Sequence, residues 1–257
     1  MEEKFKKNYS MQTVHKAIHL LKAFSIEQRM LSMTELHHIT GLSKSSLQRI
    51  LSTLVFEGFL QKNEETKKYQ LGLELLFLGK LVEMNSNLLS IAQPIMEEIR
   101  YKTGESVSLS VIENQKRKCI GNLKCEFELQ TKTFVGQESP LYAGASAKVL
   151  LAYFSEQQLE QFLQENELTA LTENTITSKE TLKQELKRIR EQGYAISCGE
   201  RLKGTFSISA PVFSPFHEVL GGLSLVIPTP RVEEYDLDLL IALIKEGAEQ
   251  VSRKMKC

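Results

Sequence analysis

The apolar positions change period along the chain, and that change is the first guide to its elements. From Thr13 to Phe24, Val14, Ala17, Ile18 and Leu21 recur at i, i+3, i+4 and i+7. That is one face of an amphipathic helix, with Thr13 as its expected N-cap. A shorter helix is expected from Thr34 to Ile39, with Leu36 and Ile39 inward and Gly41 as its stop. Glycine adopts the left-handed backbone that ends a helix sharply. Ser43 then caps a third helix to about Glu57, whose buried stripe is Leu47, Ile50, Leu51 and Leu54. Phe59 and Leu60, then Tyr69 and Leu71, bracket the polar run Gln61 to Lys68, the pattern of a two-stranded wing.

Leu73 to Met84 is helical in pattern, yet Leu73, Leu75, Leu76, Phe77, Leu78, Leu81 and Val82 lie nearly all round it. Such a helix needs cover on more than one side. A second copy of the chain or burial within one chain would each supply it. Asn85 to Asn87 breaks the pattern and marks a boundary. Beyond it, Leu88 to Lys102 is an expected helix with Pro94 inside, which implies a kink or an early break. Glu105 to Ile112 has strand period, Ser106, Ser108 and Ser110 alternating with Val107, Leu109 and Val111. Helices are expected over Gly144 to Tyr153, Glu156 to Asn166 and Ser178 to Glu191, the last capped by Ser178 and stopped by Gly193. Strands follow over Tyr194 to Ser197, Thr205 to Phe213 and Gly221 to Ile227, the last two antiparallel, and a helix from Tyr235 to Lys254 closes the chain.

The expected class is therefore α+β. A winged helix-turn-helix domain occupies residues 10–72, a linker helix 73–87, and an α/β domain with a largely antiparallel sheet, GAF-like in class, 88–257.

Composition narrows the function. With 25% charged and 42% hydrophobic residues the 257-residue chain is ordinary for a globular protein. No apolar run approaches the roughly 18 residues of a membrane span. Met1 to Ser10 is charged, with no apolar signal core, so a cytoplasmic protein without membrane contact is expected. Net charge is zero, but residues 1–70 hold 11 Lys/Arg against 7 Asp/Glu. A basic N-terminal third suits contact with phosphate there alone.

Reactive constellations are sparse. Cys119, Cys125, Cys198 and Cys257 form no CxxC pair and are expected as reduced structural thiols. His15 and His19 share a helical face at i, i+4, but no HExxH pattern or third ligand accompanies them. Cys198 with His217 is the best nucleophile–base pairing on offer, and nothing in the sequence ties the two in space. No metal, cofactor or catalytic residue is expected.

The third helix carries the strongest chemical signal. Lys44, Ser45, Ser46, Gln48, Arg49 and Thr53 form its outer face, with no acid until Glu57. Such a face suits a polyanion, because Arg, Gln and Ser donate to base edges and phosphates. Ser45, Ser46, Gln48 and Arg49 are expected nearest the bases, and Lys44 and Thr53 nearer phosphate. Lys62, Lys67 and Lys68 on the wing would reach the backbone. Along Thr205 to Ala210, Thr205, Ser207 and Ser209 alternate with apolar residues, a row of small hydroxyls suited to a ligand wall or to a solvated sheet face.

These motifs resemble the isocitrate lyase regulator (IclR) family of bacterial transcription factors. The resemblance is carried by LSMTELHHITGLSKSSLQRILSTLVFEGFL, YQLG, LYAGASAKVLLA, GYAISCGERLKGTFSISAPVF and GGLSLVIP, in that order from about Thr13 onward. It implies a dimerising linker helix, a homodimer or tetramer, and an effector domain that takes a small organic molecule, often a carboxylate. It further implies a near-palindromic DNA operator and, as the commoner sign in that family, repression. By position, the ligand's carboxylate would meet the backbone of Gly144, Ala145 and Ser146, followed by Ser197 and Ser207. Several members have an acid and a cysteine at those last two positions, and this chain departs at both. The competing readings are a winged helix that contacts another protein and, least favoured, an enzyme in the C-terminal domain. Salt-sensitive binding to DNA separates the first of these from a regulator.

Overall fold

The computed structural model describes residues 11–25, 27–85 and 87–255. Ser10 and Cys257, the outer expected domain limits, and Ser86, within the expected break from Asn85 to Asn87, lie outside the described residues. The chain divides into two compact units, Met1–Asn85 and Ser86–Cys257.

In the first unit, α1 (Gln12–Leu21), α2 (Met33–Thr40) and α3 (Lys44–Phe56) precede a hairpin of β1 (Leu60–Lys62) and β2 (Tyr69–Leu71). The strands pair antiparallel with Leu60 opposite Leu71, and Leu31 bridges to Tyr69. Helix α3 is as its pattern dictates: Leu47, Ile50, Leu51 and Leu54 are buried, and the Ser43 hydroxyl accepts from the Ser46 N–H. Gly41 ends α2 at φ 68°.

Three expectations for this unit fail. Helix α1 starts after Met11, not Thr13, without a side-chain cap. Its inward stripe is Ala17, Leu20, Leu21 and Phe24, the same period begun one turn later; Leu20 is fully buried while Val14 and Ile18 are about half exposed. Leu20, absent from the first stripe, packs with Leu47, Leu51 and Leu54 of α3 in one core. Ile39 is likewise exposed, because α2 turns Met33, Leu36 and His37 inward instead. Its start is a capping box, in which Ser32 and Glu35 each accept the other's N–H.

Helix α4 (Leu73–Asn85) completes the unit. Leu73, Leu76, Phe77, Leu78, Leu81 and Val82 on it are all exposed, by 40 to 71%. Within their own unit these six residues are left uncovered.

The second unit is a six-stranded antiparallel sheet with helices on both faces. Its elements are α5 (Asn87–Thr103), β3 (Ser106–Glu113), β4 (Lys116–Leu123), β5 (Glu138–Ser139), α6 (Ala145–Ala152), α7 (Glu156–Glu165), α8 (Lys179–Gln192), β6 (Ala195–Cys198), β7 (Thr205–Phe213), β8 (Val219–Pro228) and α9 (Leu237–Lys254). The strand order is β5-β4-β3-β8-β7-β6. Helix α5 does not break at Pro94, which sits on the exposed side, where solvent can satisfy the carbonyl it leaves undonated. Strands β4 and β5, and a 3₁₀ turn over Thr229–Glu234, are additions to the expected elements.

The strand period sorts the sheet into two chemistries. Val107, Leu109, Ile208, Leu223, Leu225 and Ile227 pack with α5 and α9 in one core. On the other face the register sets Asn122, Ser108, Ser224 and Ser209 side by side, with Val226, Ser207 and Ser197 in the next row. Helix α6 lies over this polar face. A Cβ on Gly222 would meet the Ser209 hydroxyl at 3.2 Å and the Ser146 carbonyl at 3.4 Å, so glycine there lets the start of α6 approach the sheet.

Candidate nucleic-acid interface and ligand cavity

On α3, Lys44, Ser45, Gln48, Arg49 and Thr53 are exposed and Ser46 is half-buried. Not all are equally free. The Ser43 and Ser45 hydroxyls lie 3.3 Å apart, and the Thr53 hydroxyl donates to the Arg49 carbonyl. Among the described residues Gln48 and Arg49 have no side-chain partner within the chain, so their donors are available to an outside acceptor. A groove of about 430 Å³ between α1 and α3 is lined by Thr13, Ala17, Ser45, Ser46, Arg49 and Thr53 among others.

The wing brings acids that the basic composition hides. Lys67 lies 3.0 Å from Glu64 and Lys62 4.0 Å from it, while Lys68 is 3.8 Å from Glu35. The Ser32 backbone N–H is the main cause that holds the Glu35 carboxyl below its usual range, and the Lys67 ammonium does the same for Glu64. Exposed pairs of this kind contribute little, so exchanging a carboxylate for a phosphate costs little.

In the second unit, Gly144, Ala145, Ser146, Ser197 and Ser207 come together around one small cavity of about 30 Å³. Gly144, at φ 95°, precedes the first turn of α6. Its N–H is already donated to Glu200 at 3.1 Å. The Ala145 and Ser146 N–H groups, first in the helix, have no intrahelical carbonyl to meet. Ser207 is half-buried and Ser209 fully buried, so the hydroxyl row is not a solvated sheet face.

Two residues the sequence reading passed over dominate this cavity. Arg117 on β4 is 3% exposed, donates its Nε–H to the Ser146 hydroxyl at 3.1 Å, and leaves Nη1 without a partner. Arg201 borders the same space. Burial lowers the Arg117 guanidinium to about 10, Cys119 opposing the drop and Arg201 adding to it, and burial lowers Arg201 as well. Both remain charged at neutral pH. Neither has a carboxylate partner among the described residues. The available signal was Arg117 and Cys119 in phase between the outward Lys116 and Lys118.

The cavity is fastened from two sides. Lys148, 1% exposed, donates to Glu200 at 2.6 Å, Glu185 at 2.8 Å and the Ile196 carbonyl at 2.9 Å. That joins α6, α8, β6 and the segment carrying Arg201. Opposite, Thr133 lines the cavity and its carbonyl accepts from Asn122. Arg231 holds the preceding segment through Phe127 and the Leu129 carbonyl, and is itself paired with buried Glu105.

Among the described residues no group of three or more His, Cys, Asp or Glu could hold a metal, and no single helix is long and apolar enough to cross a membrane. His15, His19, His37, His38, His217 and the free thiols Cys119, Cys125 and Cys198 assemble no such site.

A donor-rich helix beside a wing in one unit, and a polar, cation-lined cavity in the other, define the class of ligand-responsive DNA-binding proteins. The family descriptions agree: the IclR helix-turn-helix domain matches residues 13–64, and the bacterial transcriptional regulator IclR C-terminal domain matches 81–253. The chain belongs to the IclR family of bacterial transcriptional regulators. It is 32% identical to the HTH-type transcriptional regulator KipR of Bacillus subtilis, over 95% of this chain and 96% of that one. It is 33% identical to the regulator KdgR of Escherichia coli, over 96% and 93%. The crystal structure of the IclR transcriptional regulator from Alicyclobacillus acidocaldarius superposes with a TM-score of 0.86 at 28% identity, over 96% of this chain and 100% of that one.

Proposed function

We propose that this regulator is a repressor whose two copies read a near-palindromic operator and release it, or hold it, according to a small organic effector. Residues 10–72 read DNA, 73–87 link and dimerise, and 88–257 take the effector. The acid-free outer face of α3 carries this reading: from Lys44 to Phe56 there is no Asp or Glu. Ser45, Ser46, Gln48 and Arg49 contact base edges in the major groove, Lys44 and Thr53 contact phosphate, and Lys62, Lys67 and Lys68 of the wing track the backbone. The effector's acid group meets the start of α6 at Ala145 and Ser146, with Gly144 shaping that turn and Ser197 and Ser207 facing the rest of the molecule. An effector with unequal affinity for DNA-competent and DNA-incompetent arrangements shifts their populations. The protein does this in the cytoplasm.

The test is binding to the DNA upstream of its own gene, titrated with salt. Specific binding that weakens steeply with salt supports the reading. Arg49→Ala should cost about 1–3 kcal/mol of operator affinity if the guanidinium reads a guanine. An unchanged affinity in that variant would remove Arg49 from the recognition set. Salt-insensitive or absent binding would favour a winged helix that contacts protein.

A further inference from the structure

Three observations bear on what the cavity takes. Arg117 and Arg201 both border it, and among the described residues neither meets a carboxylate within 4.0 Å. The one acid nearby, Glu200, is committed to the Lys148 ammonium and the Gly144 N–H, and does not line the cavity. Among the residues lining the cavity, two buried side-chain donors remain unspent, Nη1 of Arg117 and the Ser108 hydroxyl. The local balance is thus two positive charges and a helix N-terminus, with nothing negative facing them.

Arg117 is buried and Arg201 half-buried; charges taken out of water are normally paired, and an uncompensated one costs more the deeper it lies. A neutral occupant would leave both guanidiniums unmatched, and a single carboxylate would leave one. Matching both takes two negative charges. The cavity of about 30 Å³ has room for only a few waters, so the ligand that displaces its walls least is a compact one. Serine and threonine hydroxyls make up most of the remaining wall, so the uncharged part of the ligand is polar too.

We infer that the effector is a compact dianion, either a phosphate monoester or a short dicarboxylate, held between Arg117 and Arg201 at the start of α6. This rests on the cavity being the effector site, as proposed above. Arginine suits the task because its planar fork bonds two oxygens of a carboxylate or phosphate at once.

Titration calorimetry on the full chain at fixed ionic strength tests the assignment with matched probes. Glycerol 3-phosphate and inorganic phosphate form one arm, malate a second, glycerate and glycerol the controls. At least one dianion should bind about tenfold or more tightly than glycerate, the worth of one hydrogen-bonded charge. Which arm does so identifies the source of the second charge. Arg201→Gln should erase the dianion's advantage while Arg201→Lys keeps part of it, with circular dichroism confirming that both variants fold. Glycerate binding as tightly as the dianions would overturn the dianion and leave the effector site standing. A dianion advantage that survives in Arg201→Gln would overturn the assignment of that charge to this cavity. If no anion binds, the effector reading of the cavity falls with the dianion, and the operator assay then shows whether DNA recognition stands without it.

Discussion

Lys148→Ala is expected to destabilise the C-terminal unit by about 3–5 kcal/mol, the usual result of removing one partner from a buried ion pair. The ammonium is 1% exposed and bonds two carboxylates, Glu185 and Glu200, whose side chains are 13% and 9% exposed. Alanine would leave Glu200 buried beside the start of α6 with only the Gly144 N–H to answer it. Glu185 would fare better, because Arg188 lies 3.0 Å from its other oxygen. For a unit of this size each kcal/mol moves the melting temperature by about 2–4 °C, so a drop of roughly 6–20 °C is expected. The double variant Lys148→Met with Glu200→Gln should recover much of that loss, since the isolated charge is then gone. A melting temperature within about 2 °C of the parent for Lys148→Ala, under one kcal/mol by the same scale, would show that the network contributes little. The consequence for function follows from its members: Glu200 precedes Arg201, so the clamp that stabilises the unit also fixes one wall of the cavity.

How much of this was legible in the sequence depends on whether one element alone decides a residue's place. Helix α3 was readable in full because its stripe, its serine cap and its polar face all agree on one orientation. Helix α1 was readable as a helix but not in phase, because two stripes fit the same period and only the packing partner chooses between them. Ile39 failed for the same reason on a helix of only eight residues. Among the cavity residues, Gly144, Ala145, Ser146, Ser197 and Ser207 were found through motif resemblance and strand alternation. Arg117 was not, because β4 reads Lys-Arg-Lys and a cation between two cations looks like a solvated edge. What turns it inward is pairing with β3, including a register shift between Leu109 and Ser110, and pairing is not written in β4 alone. Arg201 lies outside the strands, beyond any periodic signal.

Leu73→Glu combined with Phe77→Glu should convert the protein to monomers and lower operator affinity by about 10²–10⁴-fold. That range is what two linked binding modules gain over one. The two positions are four residues apart and so share one face of α4, and they are 70% and 59% exposed. A substitution there removes little packing within the chain, so the variant should keep its helical content and melting temperature. Exposed apolar surface on this scale marks a contact with another macromolecule. The all-round distribution on α4 favours a helix enclosed by another copy over one lying on a flat partner. Sedimentation gives the mass, and binding to full and half operators gives the coupling. The expected variant is monomeric, binds a half-site as the parent does, and gains nothing from the second half-site. A variant that stays dimeric would move the interface elsewhere. One that becomes monomeric yet keeps full operator affinity would show that a single α3 and its wing suffice for recognition.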